Sequence, residues 1–348
     1  MHTRFVVAGE AIVDLIARSD GSFAPALGGS PWNLARALGR LGSQVAYVTP
    51  LSTDTFGEQF FNALLESRVE FAGKRSELPS CLALVHIQPD GSPAYRFYRE
   101  GVADRDYSPE SVKKHVAGPQ TVFHIASLAL FPPDGYAWAG FLGELNQQGI
   151  CTSVDVNVRR LPGADNGAYT ELLLRVMPQA RVLKVSDEDL QQLGLGHDPL
   201  HAARTLLNDT TQVVLLTRGS LGAWCLTAEG AWHEPAPNTP VCDTVGAGDC
   251  SYAGFLHALD AAGAFNPPWR IPTAQTLQNA LVMSSRCAAF NLRQQGCQPA
   301  WRQELWDPSR CVGVRWVSRQ AHFLPHLRPL RVTLLQSCHP MQKTGMRP

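Results

Sequence analysis

Short apolar runs recur along the chain at 5–8, 45–48, 122–125, 152–156, 182–185 and 213–216, and stretches with helical spacing separate them. Runs that are apolar at successive positions present apolar side chains to both faces of a sheet, and strands separated by helices pair in parallel. The pattern predicts an α/β fold, a doubly wound, mostly parallel sheet flanked by helices. Two stretches, 11–27 and 81–103, break the rhythm. The second carries β-rich segments on either side of a turn signal at Pro89–Ser92, and the first has a turn signal at Ser19–Ser22. Together they predict a small β-sheet lid projecting from the main domain. A length of 348 residues accommodates one large α/β domain with such an appendage.

Thirty basic residues balance thirty acidic ones, so no bulk charge recruits nucleic acid or an acidic membrane surface. A small-molecule ligand is the default partner. Nine cysteines are scattered without a C-x-x-C pair, which fits free thiols in a reducing compartment better than a zinc or redox centre. The amino terminus enters an apolar run without a basic leader, and no run approaches the length of a membrane span. These features place the protein in the cytoplasm. The main domain extends over 1–306. After Asp307 no acidic residue occurs, and 307–348 reads as an atypical basic extension with no assigned function.

The segment Asp243-Thr244-Val245-Gly246-Ala247-Gly248-Asp249-Cys250 precedes Tyr252, Phe255, Leu256 and Leu259, which fall on one helical face. A helix therefore starts close to Gly248 and Asp249. Helix starts expose unpaired N–H groups, and glycine lets an anion approach them. A carboxylate there hinders anion binding unless its task is to take a proton from an attacking hydroxyl. The same four residues, Gly246 to Asp249, equally suit a tight turn with Asp249 as a helix cap.

The full D-T-x-G-A-G-D string resembles the signature of the ribokinase-like (PfkB) carbohydrate kinases. Gly28-Gly29-Ser30-Pro31-Trp32-Asn33-Leu34-Ala35 resembles that family's G-G-x-x-x-N-x-A, with Ser30 suited to an N-cap, Pro31 to the first helical position, and Leu34, Leu38 and Leu41 to a core stripe. Gly9 to Asp14 resembles its G-E-x-x-x-D. Asp155-Val156-Asn157-Val158-Arg159 and Lys184 to Asp189 are similar to the D-x-N-x-R and K-x-S-x-x-E of the fructokinase-like branch. Thr217 to Gly222 is similar to the T-x-G-x-x-G nucleotide loop, and Arg293 to Pro299 to the segment after the last nucleotide-binding helix. The likeness runs from about Phe5 to Pro299 in family order. It departs at Ser186 and Asp189, where much of the wider family has N-x-x-E.

The resemblance implies an ATP-dependent sugar kinase with Asp249 as base in a catalytic turn with Gly246, Ala247 and Gly248, and with the amides of Ala247, Gly248 and Asp249 around the transferred phosphoryl. It assigns the acceptor to Asp14, Gly28, Gly29, Asn33, Tyr98 and Arg159, and the nucleotide to Lys184, Ser186, Thr217, Gly219, Gly222, Gly246 and Gly248. Tyr95, Phe97, Tyr98 and Arg99 either touch the acceptor or pack the lid. Asp189 is implied as a magnesium ligand through water and Asp243 as a monovalent-cation ligand, so ATP, Mg²⁺ and K⁺ are the expected cofactors. Fructose is the first acceptor, ahead of 2-keto-3-deoxygluconate and aminoimidazole riboside or another nucleoside. A homodimer joined through the lid sheets is expected. A catalytically inactive sugar- or nucleotide-binding homologue is the alternative from another class. A nicotinamide-dependent oxidoreductase is disfavoured, because 8–13 lacks G-x-G-x-x-G.

Overall fold

A computed structural model of the chain describes residues 3–87, 93–116, 118–161 and 163–305. The 307–348 extension and the turn at 89–92 lie outside the described residues. The strands are β1 (Arg4–Ala8), β2 (Ile12–Ala17), β3 (Phe23–Gly28), β4 (Gln44–Tyr47), β5 (Leu51–Ser52), β6 (Glu70–Phe71), β7 (Arg75–Ser76), β8 (Cys81–Ile87), β9 (Pro93–Tyr98), β10 (Thr121–Ala126), β11 (Cys151–Asp155), β12 (Val182–Ser186), β13 (Val213–Thr217), β14 (Ala223–Thr227) and β15 (Gly230–Glu234). The helices are α1 (Ser30–Leu41), α2 (Thr55–Glu66), α3 (Pro109–Val112), α4 (Asp134–Gln147), α5 (Asn166–Val176), α6 (Asp187–Gln192), α7 (Pro199–Thr205), α8 (Ala247–Ala261) and α9 (Ala274–Leu292).

Among the described residues the main sheet has nine strands in the order β15-β14-β13-β12-β11-β10-β1-β4-β6. From β13 to β6 every pairing is parallel. The apolar runs at 5–8, 45–48, 122–125, 152–156, 182–185 and 213–216 supply these parallel strands, apart from the short β6. Alternate side chains of β1 enter opposite cores. Phe5 and Val7 pack with Trp32 and Leu38 of α1 and Phe255 of α8. Val6 and Ala8 pack with Trp138 of α4 and Leu172 of α5. This is the doubly wound arrangement the two-faced apolar runs require. The antiparallel hairpin of β14 and β15 closes one edge. Its strands, β15 above all, are less continuously apolar than the parallel ones, and the run-counting argument does not find it.

The two stretches at 11–27 and 81–103 meet in one four-stranded sheet, ordered β3-β2-β8-β9. Its β2/β3 and β8/β9 pairings are antiparallel, and β2 and β8 run parallel. The turn between β2 and β3 closes with the Arg18 N–H donating to Ser22 O, and Gly21 takes φ 82°. The α1 helix joins this sheet to the main domain and is buried on nearly all sides; only Arg40 of its twelve residues is not fully buried.

The connection from β1 to β2 carries Glu10, buried beside Arg99 and Asp104. Its Oε2 accepts the Ala129 N–H at 3.3 Å. Burial pushes the Glu10 carboxyl up from 4.5 to about 7, with Arg99 opposing. A carboxyl whose folded pKa lies above its unfolded value holds its proton longer in the native state, so its contribution is unpenalised below the unfolded pKa and turns unfavourable as pH rises to the folded one. Denaturant titrations should therefore show a Glu10-dependent loss on the order of 3 kcal/mol between about pH 4.5 and 7. Glu10→Gln should flatten that dependence, and an unchanged slope in the variant would exclude Glu10 as its source.

Candidate active site

Two helix starts meet at the carboxyl edge of the main sheet. Gly29 caps α1 at φ 111°, and a Cβ on it would lie 2.3 Å from the Glu10 carbonyl oxygen, so only glycine fits the bend. The helix begins one residue earlier than the cap argument predicts. Ser30 is its first residue, Pro31 its second, and Gly29 caps it without a side-chain bond. The Ser30 hydroxyl instead donates to Asp249 Oδ1 at 2.7 Å, and Asn33 Nδ2 donates to Asp249 Oδ2 at 2.8 Å. Asp249 sits in the first turn of α8 and is 9% exposed. Asn33 Oδ1 is buried without a partner and remains an acceptor for an incoming donor.

Gly246 caps α8 in the left-handed region at φ 74°. A Cβ there would sit 2.3 Å from Cys297 Sγ, so the turn is pressed against the 296–299 segment. The Ala247 N–H already donates to Thr244 O at 3.2 Å. The expected trio of amides thus reduces to those of Gly248 and Asp249, which have no acceptor within the helix. Beneath them lies Lys184: a Cβ on Gly248 would be 3.6 Å from its Nζ. The Lys184 ammonium bridges both Asp155 oxygens at 2.8 Å. Burial opposes its charge, but Asp155, Asp189 and Asp249 outweigh that and hold its pKa above the ordinary lysine value. Burial likewise pushes Asp155 up to about 6, against the pull of Lys184.

The K-x-S-x-x-E counterpart does a local job. Ser186 Oγ accepts the Asp189 N–H at 3.0 Å while Asp189 Oδ2 accepts the Ser186 N–H at 2.8 Å, a capping box at the start of α6. Asp189 Oδ1 accepts the Val158 N–H at 2.7 Å. Each Asp189 oxygen thus accepts one backbone amide, a local structural role that stands beside the expected part of Asp189 near magnesium-bound water and of Ser186 near the nucleotide. Asp243 is similar: Oδ1 accepts the Val245 N–H at 3.0 Å and Oδ2 the Gly296 N–H at 2.8 Å. It staples the turn to the 296–299 segment. No group of three or more His, Cys, Asp or Glu side chains suited to a metal gathers among the described residues.

Thr217 ends β13 and stands in register with Ser186, so its loop flanks the same sheet edge. Gly219 and Gly222 adopt φ 47° and 94°, and a Cβ on Gly222 would lie 2.2 Å from Glu234 O. The loop shape needs both glycines.

On the lid side, Asp14 Oδ2 lies 3.2 Å from where a Gly28 Cβ would stand. Burial raises the Asp14 carboxyl from 3.8 to about 6, and the Arg159 charge opposes this. Tyr95 feels the charges of Asp14, Arg159 and Asp243, so these four residues share one environment. Tyr98 does not join them. Asp14 pairs with Ala83 and Ala83 with Phe97, whereas Tyr98 pairs with Leu82 on the opposite face and is 51% exposed. Period-two alternation therefore gives Tyr95 the place expected for Tyr98. Tyr95 and Phe97 stack with centroids 5.7 Å apart. Register across three strands separates the two tyrosines, and one strand read alone does not carry it.

The chain matches the pfkB family carbohydrate kinase pattern over residues 2–304. It is 32% identical to a fructokinase of Rhizobium leguminosarum bv. trifolii over 72% of this chain and 78% of that one. It is 28% identical to an aminoimidazole riboside kinase of Salmonella typhimurium over 84% of this chain and 90% of that one. Among solved structures, a fructokinase from Vibrio cholerae O395 in its fructose-, ADP- and calcium-bound form superposes with a TM-score of 0.73 at 23% identity, covering 85% of this chain and 94% of that one. A base candidate at a glycine-rich helix start, a nucleotide-type loop on the same edge and these matches together make the chain a member of the pfkB family of carbohydrate kinases, an ATP-dependent sugar kinase that transfers phosphate to an alcohol group.

Proposed function

We propose that the protein phosphorylates fructose, with Asp249 as the general base. The observation that carries this reading is the meeting of α1 and α8 at Asp249, whose two oxygens are held by Ser30 and Asn33 at hydrogen-bond distance. One motif thus supplies the base and the anion-binding amides, and the other delivers the residues expected to hold the sugar. The match to a fructokinase at 32% identity favours fructose, and the match to an aminoimidazole riboside kinase makes that riboside the second acceptor to test.

In this reading the acceptor lies under the small sheet against Asp14, Gly28, Gly29 and Asn33. Asp14 accepts hydroxyl donors, the buried Oδ1 of Asn33 takes one more, and Arg159 and Tyr95 close the side. ATP lies along Thr217, Gly219 and Gly222, with its terminal phosphate at the Gly248 and Asp249 amides and Lys184 below them. Asp249 removes the hydroxyl proton as the oxygen attacks phosphorus in line, while amides and ammonium stabilise the charge gathering on the transferred group. Mg²⁺ enters with the nucleotide, and Asp189, held by the Val158 and Ser186 amides, meets it through water. A lid-to-lid homodimer fits the outer face of the small sheet, where Phe23 and Tyr98 are exposed. The unbridged cysteines suit the cytoplasm.

Asp249→Asn should lower turnover with fructose by about 10²–10⁴-fold while leaving ATP affinity nearly unchanged, as measured by ADP release and by calorimetry with ATP. Turnover close to wild type would remove Asp249 from the role of base. The raised Asp14 pKa sets a second expectation. Below about pH 6 the carboxyl is protonated and no longer a pure acceptor, so KM for fructose should climb as pH falls through that value. Asp14→Asn should raise KM at pH 8 and abolish the climb; a climb that persists in the variant would trace it to another group.

A further inference from the structure

Ser30 is the residue whose behaviour the helix-start rules do not explain. A serine beside a helix start ordinarily bonds the free backbone amides of the first turn, a contribution of about 1 kcal/mol. Here the cap position falls to Gly29, which makes no side-chain bond, and the Ser30 hydroxyl reaches Asp249, 219 residues away in sequence. The 2.7 Å O···O distance is in the short range of a charge-assisted bond to a carboxylate. Ser30 and Asn33 are 8% and 3% exposed, so water competes little for the contact.

An aspartate carboxylate rotates about a soft terminal torsion with broad minima, so one hydrogen bond to one oxygen leaves its plane poorly defined. Donors on both oxygens, both fixed to the same first turn of α1, define it. We propose that Ser30 is a positioning residue for phosphoryl transfer: with Asn33 it locks the plane of the Asp249 carboxylate, so that one of the lone pairs left on its oxygens points at the acceptor hydroxyl. Ser30 itself touches neither phosphate nor sugar in this scheme. The inference rests on Asp249 being the base.

The test is a double-mutant cycle between Ser30→Ala and Asp249→Asn, read as kcat and KM with fructose and ATP, with thermal unfolding of each variant as a control on folding. Ser30→Ala should lower kcat by about 10–10²-fold, the scale expected for a misplaced catalytic group, and change either KM by less than about threefold. In the Asp249→Asn background it should have almost no further effect, because its action passes through that carboxylate. Ser30→Thr, which keeps the hydroxyl, should recover most of the turnover, and Ser30→Gly gives the same reading as Ser30→Ala should the alanine variant fail to fold. The proposal is overturned if Ser30→Ala retains wild-type kcat, or if it lowers turnover by the same factor in both backgrounds. Failure of the base assignment itself shows separately, as an Asp249→Asn enzyme that still turns over.

Discussion

The site hangs on the contact between the amino termini of α1 and α8. Each helix starts at a glycine whose missing Cβ is a steric requirement: Gly29 lies against the Glu10 carbonyl and Gly246 against Cys297. The two starts are separated by more than two hundred residues, and a single carboxylate, Asp249, receives donors from the other helix. Any shift of α1 relative to α8 would break both bonds together. The nearly complete burial of α1 and the packing of Tyr252, Phe255 and Leu256 of α8 into the same core resist such a shift.

Beneath that contact lies a costly arrangement. Lys184 and Asp155 form an ion pair shielded from water, and removing two charges from solvent often outweighs their mutual attraction. Two apolar residues of similar volume would pack there at least as well. The pair makes sense as placement of a positive charge beside the Gly248 amide, where the anion expected at the helix start would feel both. Asp155 first, with Asp189 and Asp249, keeps the ammonium charged despite its burial.

The catalytic turn is also shaped from behind. The Gly296 N–H bonds Asp243, Asn291 Nδ2 bonds Val245 O at 2.7 Å, and the Gln298 N–H bonds Asn291 Oδ1 at 2.8 Å. Arg40, near the far end of α1, donates to Pro299 O at 2.7 Å. The segment after α9 therefore ties the turn to both helices.

The sequence alone determined the layered α/β fold, the two stretches that build the small sheet, the α8 helix and its start, and the motif set around Asp249. Each of these is written in local periodicity or in residues whose backbone demands are local, such as glycine at a positive φ. The tertiary structure decided what depends on register and on long-range partners. The cap of α1 passed from Ser30 to Gly29, because the helix starts one residue earlier, at Ser30, whose hydroxyl donates to a carboxylate of a distant helix. Tyr95 replaced Tyr98, because the face of β9 follows from its pairing through β8 to Asp14. Asp189 and Asp243 each accept one amide from close by in sequence, Ser186 and Val245, and one that only the fold brings near, Val158 and Gly296.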